Sequence, residues 1–147
     1  DAGAEVPTPQ DVPVDMPTFH PLRDGRPARW GYFAGGARPE GWFPFNAVVK
    51  ADLSGGDAAA AAWVAPQDAV VSEPLFVPRG EGAARWAGAE AEDDGWLLSV
   101  VHDAAGEGRC ELVLWDSRSF DKGPFAAIDM GQLDPWDVHG QWAPPFE

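Results

Sequence analysis

Turn-forming residues break this chain at short, regular intervals, and this feature constrains its fold more than any other. Gly and Pro account for 17 and 15 of the 147 residues, and turn signals separate short apolar runs at intervals of roughly ten residues. Long helices do not fit such intervals, because Pro removes a backbone donor and Gly raises the cost of helix formation. The spacing predicts an all-β fold and leaves a sandwich, a barrel and a propeller open.

The first 27 residues, Asp1 to Pro27, are dense in proline. Prolines stand at positions 7, 9, 13, 17, 21 and 27. Each of them lacks an N–H donor and restricts the residue before it, so that no helix is expected here. We predict an extended segment that crosses a surface or lines a cavity.

Seven runs beyond this segment are predicted to be strands. They are Arg29–Ala34, Phe45–Asp52, Ala60–Val64, Glu73–Pro78, Trp96–Asp103, Cys110–Asp116 and Phe125–Met130. The mostly apolar character of Trp96–Asp103 predicts burial on both faces. The stretch from Gly80 to Glu92 is predicted to be an exposed loop. Asp94-Gly95 is predicted to be a turn, and the carboxylates of Asp93 and Asp94 are predicted to be solvated.

Charge and cysteine content exclude several classes of protein. The chain carries 24 Asp and Glu against 10 Lys and Arg, a net charge of −14. This balance argues against binding to nucleic acid or to anionic membrane surfaces, since both attract Lys and Arg. A hydrophobic fraction of 45%, with eight Trp and eight Phe, still provides for a buried core. The single Cys110 excludes a disulfide framework and a Cys-based zinc site.

His139 is the candidate metal ligand among the three histidines. Gly140 follows it and leaves the imidazole uncrowded, and Trp136 and Trp142 frame it. Neutral imidazole is the commonest metal ligand in proteins. A lone His beside Trp is nevertheless more often a packed, hydrogen-bonded core residue, so His139 needs support from the rest of the chain.

The other two histidines are predicted to be structural. His20 lies in the proline-rich segment, and His102 lies in a predicted strand beside Asp103. Adjacent strand residues point to opposite faces, so His102 and Asp103 are not expected to form a catalytic pair.

Three motifs follow one another in the second half of the chain: Ser72-Glu73-Pro74-Leu75-Phe76-Val77-Pro78, Glu92-Asp93-Asp94-Gly95-Trp96-Leu97-Leu98-Ser99 and Val138-His139-Gly140. Two weaker ones precede them: Asp15-Met16-Pro17 ahead of Arg29-Trp30-Gly31-Tyr32, and the stretch from Asn46 to Leu53. In this order and at these distances, the set resembles the C-terminal part of the carotenoid cleavage oxygenase family, which includes the retinal-pigment-epithelium retinoid isomerase.

The resemblance implies a seven-bladed β-propeller with iron(II), Fe(2+), on its axis, and residues 1–147 would be the C-terminal blades of that single domain. The family holds the iron with four histidines, and His139 matches the fourth. Its glutamates accept a hydrogen bond from the outer nitrogen of metal-bound histidines. Glu73 matches one of these, and the shorter Asp15 stands where another is usual. Val138 departs from the aromatic residue that often precedes the ligand.

The function implied by the resemblance is cleavage of a conjugated double bond in a carotenoid or apocarotenoid, with carbonyl products. The reactants would be an apolar polyene and dioxygen, and extraction of the polyene implies peripheral membrane contact through an apolar patch. Three alternatives stay open: a retinoid isomerase or hydrolase on the same iron scaffold, a non-catalytic carotenoid-binding propeller, and a purely structural β-repeat. The compartment is left open between plastid and cytoplasm.

Overall fold

The computed structural model of the chain describes residues 12–38, 43–54, 61–66, 68–79, 92–103, 108–133 and 139–142. Within these ranges there are nine β-strands and two short 3-10 helices. The strands form two antiparallel sheets, which confirms the all-β prediction. None of the helices in these ranges is long and apolar enough to cross a membrane.

Sheet 1 is a meander in which each strand pairs with the next along the chain. Its strands are β1 Val14–Thr18, β2 Trp30–Gly35, β3 Ala47–Asp52 and β4 Ala61–Val64. The last three confirm the predicted runs in this half of the chain. Six residue pairs join β2 to β3, from Trp30 opposite Asp52 to Gly35 opposite Ala47.

The proline-rich segment only partly matches its prediction. Val14–Thr18 is extended, but it is the edge strand β1 of sheet 1. An edge position suits Pro17, which has no N–H to donate to a second neighbour. Pro21–Arg23 forms a single 3-10 turn, which the sequence did not predict. Residues 1–11 lie outside the described ranges.

Sheet 2 contains β5 Ala69–Val71, β6 Leu75–Pro78, β7 Gly95–Asp103, β8 Arg109–Asp116 and β9 Ala126–Gln132. Both β5 and β6 pair with β7, which is followed by β8 and β9. A 3-10 helix, Ser117–Lys122, connects β8 to β9. The predicted strands at β7, β8 and β9 are confirmed, whereas the run Glu73–Pro78 is shorter than predicted and β5 was not predicted.

The two sheets pack face to face around an aromatic core. Tyr32 of sheet 1 stacks on Phe76 of sheet 2 with ring centroids 5.3 Å apart, and Trp63 meets Trp115 edge-on at 5.1 Å. The hydroxyl of Tyr32 is hydrogen-bonded to that of Ser117, and burial raises the pKa of Tyr32 above its ordinary value. Aromatic pairs of this kind hold the two sheets in one relative position.

The predicted burial of β7 on both faces is met fully on one face only. Leu97, Ser99 and Val101 are buried in the interface with sheet 1. Trp96 and Leu98, which alternate with them, are half-buried on the opposite face. This second face of sheet 2 is apolar, and it is considered below.

The prediction of an exposed loop is wrong for Glu92, which is only 1% exposed. Its Oε1 accepts hydrogen bonds from the backbone N–H groups of Arg29 and Trp30 at 2.5 and 2.9 Å. Its Oε2 lies 3.0 Å from the guanidinium of Arg23. A carboxylate just before β7 of sheet 2 therefore holds the start of β2 in sheet 1. Residues 80–91 lie outside the described ranges.

The predicted solvation of the Asp93 and Asp94 carboxylates is also wrong. Lys50 of β3 places its Nζ 2.8 Å from Asp93, and Arg79 and Arg118 lie 3.4 and 3.5 Å from Asp94. Both aspartates are half-buried. Asp93 thus forms part of the contact between the two sheets, whereas Asp94 pairs with side chains that follow β6 and β8 of sheet 2.

Candidate functional site

An irregularity interrupts the edge of sheet 2 between β5 and β6. The partners of Val71 and Leu75 on β7 are Val101 and Leu98, so three residues of the edge face only two residues of β7. One extra residue in one strand of an antiparallel pair is a β-bulge, which bends the strand and re-aims its side chains. Glu73 is the middle residue of the three.

Burial along this edge shows what the bulge does to Glu73. Ala69 and Val71 point into the core, so an uninterrupted strand would bury residue 73 there too, because side chains alternate between faces. After the bulge, the next residue in the core is the even-numbered Phe76. The bulge therefore keeps a carboxylate out of the apolar core and leaves the Glu73 side chain 18% exposed.

The carboxylate of Glu73 meets the dipeptide His139-Gly140. Its Oε2 lies 3.1 Å from Nδ1 of His139 and accepts a hydrogen bond from the backbone N–H of Gly140 at 3.3 Å. The His139 side chain is 75% exposed in this chain, and the carboxylate contacts the ring at Nδ1. The structure thus brings together two of the three residues that the sequence singled out.

This arrangement determines which ring nitrogen of His139 can bind a metal. A carboxylate accepts hydrogen bonds, so Nδ1 is the donor and Nε2 of the neutral ring carries the lone pair. A carboxylate in this place fixes the orientation of the ring, and imidazole suits iron among other transition metals. In the described part of the chain, no three or more His, Cys, Asp or Glu side chains are grouped so that they could hold a metal ion. Nε2 of His139 could occupy one coordination position, and the other ligands of such a metal would come from residues outside those described.

Gly140 is fitted closely against β6. A Cβ at this position would lie 3.1 Å from Cδ1 of Leu75, closer than most side-chain contacts allow. Because its own amide is bonded to Glu73, any shift of Gly140 also affects the carboxylate. From the sequence, Gly140 is expected only to leave space beside the imidazole, and the hydrogen bond from its amide to Glu73 is not apparent there.

Asp15 is the last paired residue before a second bulge, in the first strand of sheet 1. It pairs with Ala34, while Thr18 pairs with Tyr32, so β1 has one extra residue over this interval. The side chain of Asp15 is exposed and accepts a hydrogen bond from the backbone N–H of Met16 at 2.7 Å. Asp15 thus borders a bulge, whereas Glu73 lies within one. None of the hydrogen bonds described for Asp15 reaches His139.

The other two histidines lie away from this site. His20 is buried against the ring of Phe76, and burial lowers its pKa below the ordinary value. His102 is buried with its Nδ1 2.9 Å from Sγ of Cys110, and its neighbour Asp103 is exposed. The predicted opposite orientation of His102 and Asp103 is therefore confirmed.

Comparison with known proteins identifies the family. The model of the family described as retinal pigment epithelial membrane protein matches residues 1–144. The chain belongs to this family, the carotenoid cleavage oxygenases. It is 34% identical to the apocarotenoid-15,15'-oxygenase of Synechocystis over 129 residues, which are 88% of this chain and 24% of that protein. It is 36% identical to the chloroplastic carotenoid cleavage dioxygenase 8 homolog A of rice, over 91% of this chain and 21% of that protein.

Solved structures of carotenoid cleavage oxygenases share the fold described above. Cobalt-substituted apocarotenoid oxygenase of Synechocystis superposes with a TM-score of 0.71 and 30% identity. The superposition covers 90% of this chain and 26% of that protein. The chain thus spans about a quarter of the length of these oxygenases.

A cleft of about 460 Å³ lies elsewhere, toward the outer strands of the two sheets. Trp63 of β4 contributes to one side, and Glu111 and Asp129 of sheet 2 contribute to the other. Neither Glu73 nor His139 is among its described lining residues. The residues that match the oxygenase motifs lie at the bulge and not in this cleft, so the bulge is the candidate site.

Proposed function

We propose that this chain is part of a non-haem iron(II) oxygenase that cleaves a conjugated double bond of a carotenoid or apocarotenoid to carbonyl products. His139 is proposed as an iron ligand through Nε2. Glu73 is proposed as the carboxylate that orients the ring, and Asp15 as a second such carboxylate for a histidine outside the described residues.

The observation that carries this proposal is the hydrogen bond between Glu73 and His139. The two residues are 66 positions apart in sequence and meet at 3.1 Å, with Nδ1 of the ring directed to the carboxylate. The amide of Gly140 binds the same carboxylate oxygen at 3.3 Å, so the ring is held on its Nδ1 side while Nε2 is directed away from the carboxylate. An anchored ring with one nitrogen left over is the arrangement that metal-binding histidines adopt.

The relatives support the chemistry proposed. The Synechocystis relative is named as an apocarotenoid oxygenase, a Fusarium relative as a torulene dioxygenase, and a solved relative holds cobalt in place of its metal. Bound iron would supply activation of dioxygen beside the alkene. The residues of this chain would hold and orient one ligand.

The two sheets are proposed to be adjacent blades of a seven-bladed propeller. Each begins with a bulged strand and continues as an antiparallel meander, which is the repeating unit of that fold. The apolar second face of sheet 2, formed by residues such as Trp96, Leu98 and Leu112, needs another apolar surface against it. A neighbouring blade would provide that surface.

The proposed substrate also bears on location. An apolar polyene partitions into membranes, so we propose peripheral membrane contact through apolar side chains, in keeping with the net charge of −14. The rice relatives are named as chloroplastic, and a plastid and the cytoplasm both remain compatible with the proposal.

Product analysis tests the reaction class. The full-length protein is incubated with an apocarotenoid and dioxygen, and the products are identified by mass spectrometry. We expect about one iron per protein and two shorter carbonyl compounds in place of the polyene. A product that retains all the carbons of the polyene would contradict cleavage and indicate isomerisation or ester hydrolysis. Binding of the polyene without turnover would contradict an enzymatic role and indicate a carrier.

Replacing Glu73 with Gln is expected to weaken iron binding by roughly 10- to 100-fold, the usual effect of losing an outer partner of a ligand histidine. The amide is nearly the same size, but it carries no charge and accepts the Nδ1 hydrogen bond less strongly. The measurement is competition for iron with a chelator of known affinity. Glu111→Gln, the same change at an exposed position of β8, is the control. Equal affinities of the two variants would contradict the role of Glu73.

A further inference from the structure

The bulge that carries Glu73 is held by side-chain hydrogen bonds in place of part of the backbone ladder. The backbone N–H of Ser72 donates to the carbonyl of Val100 at 2.9 Å. The return bond comes from the N–H of Val100, but its acceptor is the hydroxyl Oγ of Ser72, also at 2.9 Å. The Ser72 side chain therefore stands where a backbone carbonyl would accept in a regular strand.

The carbonyl of Ser72 is bonded by a second serine. Ser99 lies on the core face of β7 and is 2% exposed, and its hydroxyl donates to the Ser72 carbonyl at 3.0 Å. Ser99 lies between Leu97 and Val101 in a row of core residues that is otherwise apolar. The hydrogen bond to the Ser72 carbonyl explains the polar residue there, because buried hydroxyls need a partner.

Together the two hydroxyls form hydrogen bonds with the backbone groups that the extra residue would otherwise leave without a partner. A backbone N–H or carbonyl that is shielded from water and left without a partner is unfavourable. The part-buried Val100 N–H and Ser72 carbonyl would otherwise both oppose the bulge. In an unbulged strand, residue 73 would point toward the core beside Val71. The serines thus favour the conformation in which Glu73 reaches His139.

We infer that Ser72 and Ser99 are positioning residues for the metal site. They fix the bulge that directs the Glu73 carboxylate toward Nδ1 of His139 and the amide of Gly140. This inference rests on the proposed function, because it assigns the serines to the same iron site. It predicts that their hydroxyls control how firmly iron is held, although neither serine touches the proposed ligand.

The test compares three serines in the iron-loaded, full-length protein. Ser72→Ala and Ser99→Ala remove the two hydroxyls at the bulge. Ser117→Ala removes a fully buried hydroxyl bonded to Tyr32, in the same core and away from Glu73, and Ser72→Thr keeps the hydroxyl at the bulge. The measurements are the rate of iron release to an excess of chelator and the thermal midpoint of the metal-free protein.

We expect iron release to be up to about tenfold faster in Ser72→Ala and Ser99→Ala, at the low end of the effects of outer partners on metal binding. Ser117→Ala should lower the thermal midpoint to a similar extent and release iron at the parent rate, and Ser72→Thr should release iron at the parent rate. If both bulge variants release iron no faster than Ser117→Ala, or if Ser72→Thr loses it as fast as Ser72→Ala, the positioning role is wrong.

Failure of the proposed function would be recognised separately. If the parent protein binds no iron, or if the His139→Ala variant keeps its iron, the proposed metal site is wrong and the inference fails with it. A parent that binds iron through His139, but whose iron is indifferent to Ser72 and Ser99, leaves the proposed function intact and overturns the inference alone.

Discussion

Replacing His139 with Ala is expected to abolish stable iron binding by the full-length protein. The variant loses the Nε2 lone pair proposed to bind the metal, and Glu73 loses its imidazole donor. We expect an affinity loss of more than about 100-fold, above the range found when only an outer partner is removed. Metal analysis after gel filtration, with polyene cleavage measured on the same sample, gives the result directly. Cleavage should fall with the iron content.

His20→Asn is the matched control for this experiment. Nδ1 of His20 accepts a hydrogen bond from the backbone N–H of Leu22 at 3.2 Å, and the side-chain oxygen of Asn can accept the same bond. This variant also removes one of three histidines, yet we expect it to keep its iron. A His139→Ala protein that retains iron as well as His20→Asn does would make the exposed ring a surface residue and favour a binding or structural role for the chain.

The strand pattern was predictable because it is local. Alternation of side chains along β2 and β8 and the turn residues between strands are visible within a few residues. The strand β5 was missed because Ala69–Val71 is only three residues long, too short for periodicity to register. The bulge moves the core positions from odd numbers at 69 and 71 to an even number at 76. The sequence hides this change of parity, because Leu75, Phe76 and Val77 are all apolar.

The polar contacts between sheets were not predictable, because their partners are distant in sequence. Glu92 is 63 residues from Arg29, whose amide it binds. A run of three acidic residues before a glycine ordinarily lies in solvent, and only the fold shows that this run borders sheet 1. Gly95 ends the run because a Cβ there would lie 2.5 Å from the ring of Phe76. This motif is thus accounted for by a contact between the sheets at Glu92 and by close packing within sheet 2 at Gly95. Glu73 and His139 instead concern the proposed chemistry.

Replacing Glu92 with Ala is therefore expected to destabilise the fold strongly, by about 3–5 kcal/mol, the usual cost of removing one partner of a buried ion pair. The change leaves the guanidinium of Arg23 and the amides of Arg29 and Trp30 without the carboxylate that binds them. Those amides begin β2, so the loss should loosen the contact between sheets as well as one strand end. The midpoint of denaturant-induced unfolding of the full-length protein measures the effect.

Asp129→Asn provides the comparison that separates buried from exposed charge. Asp129 pairs with Arg109, but the two side chains are 53% and 62% exposed, and an exposed ion pair contributes at most about 1 kcal/mol. Asn also retains an oxygen that can accept the backbone N–H of Gly131. We expect a small shift for this variant and a several-fold larger one for Glu92→Ala. Similar shifts would mean that desolvation of Glu92 cancels its three contacts, and that the two sheets are held together by the packing of Tyr32, Phe76 and their aromatic neighbours instead.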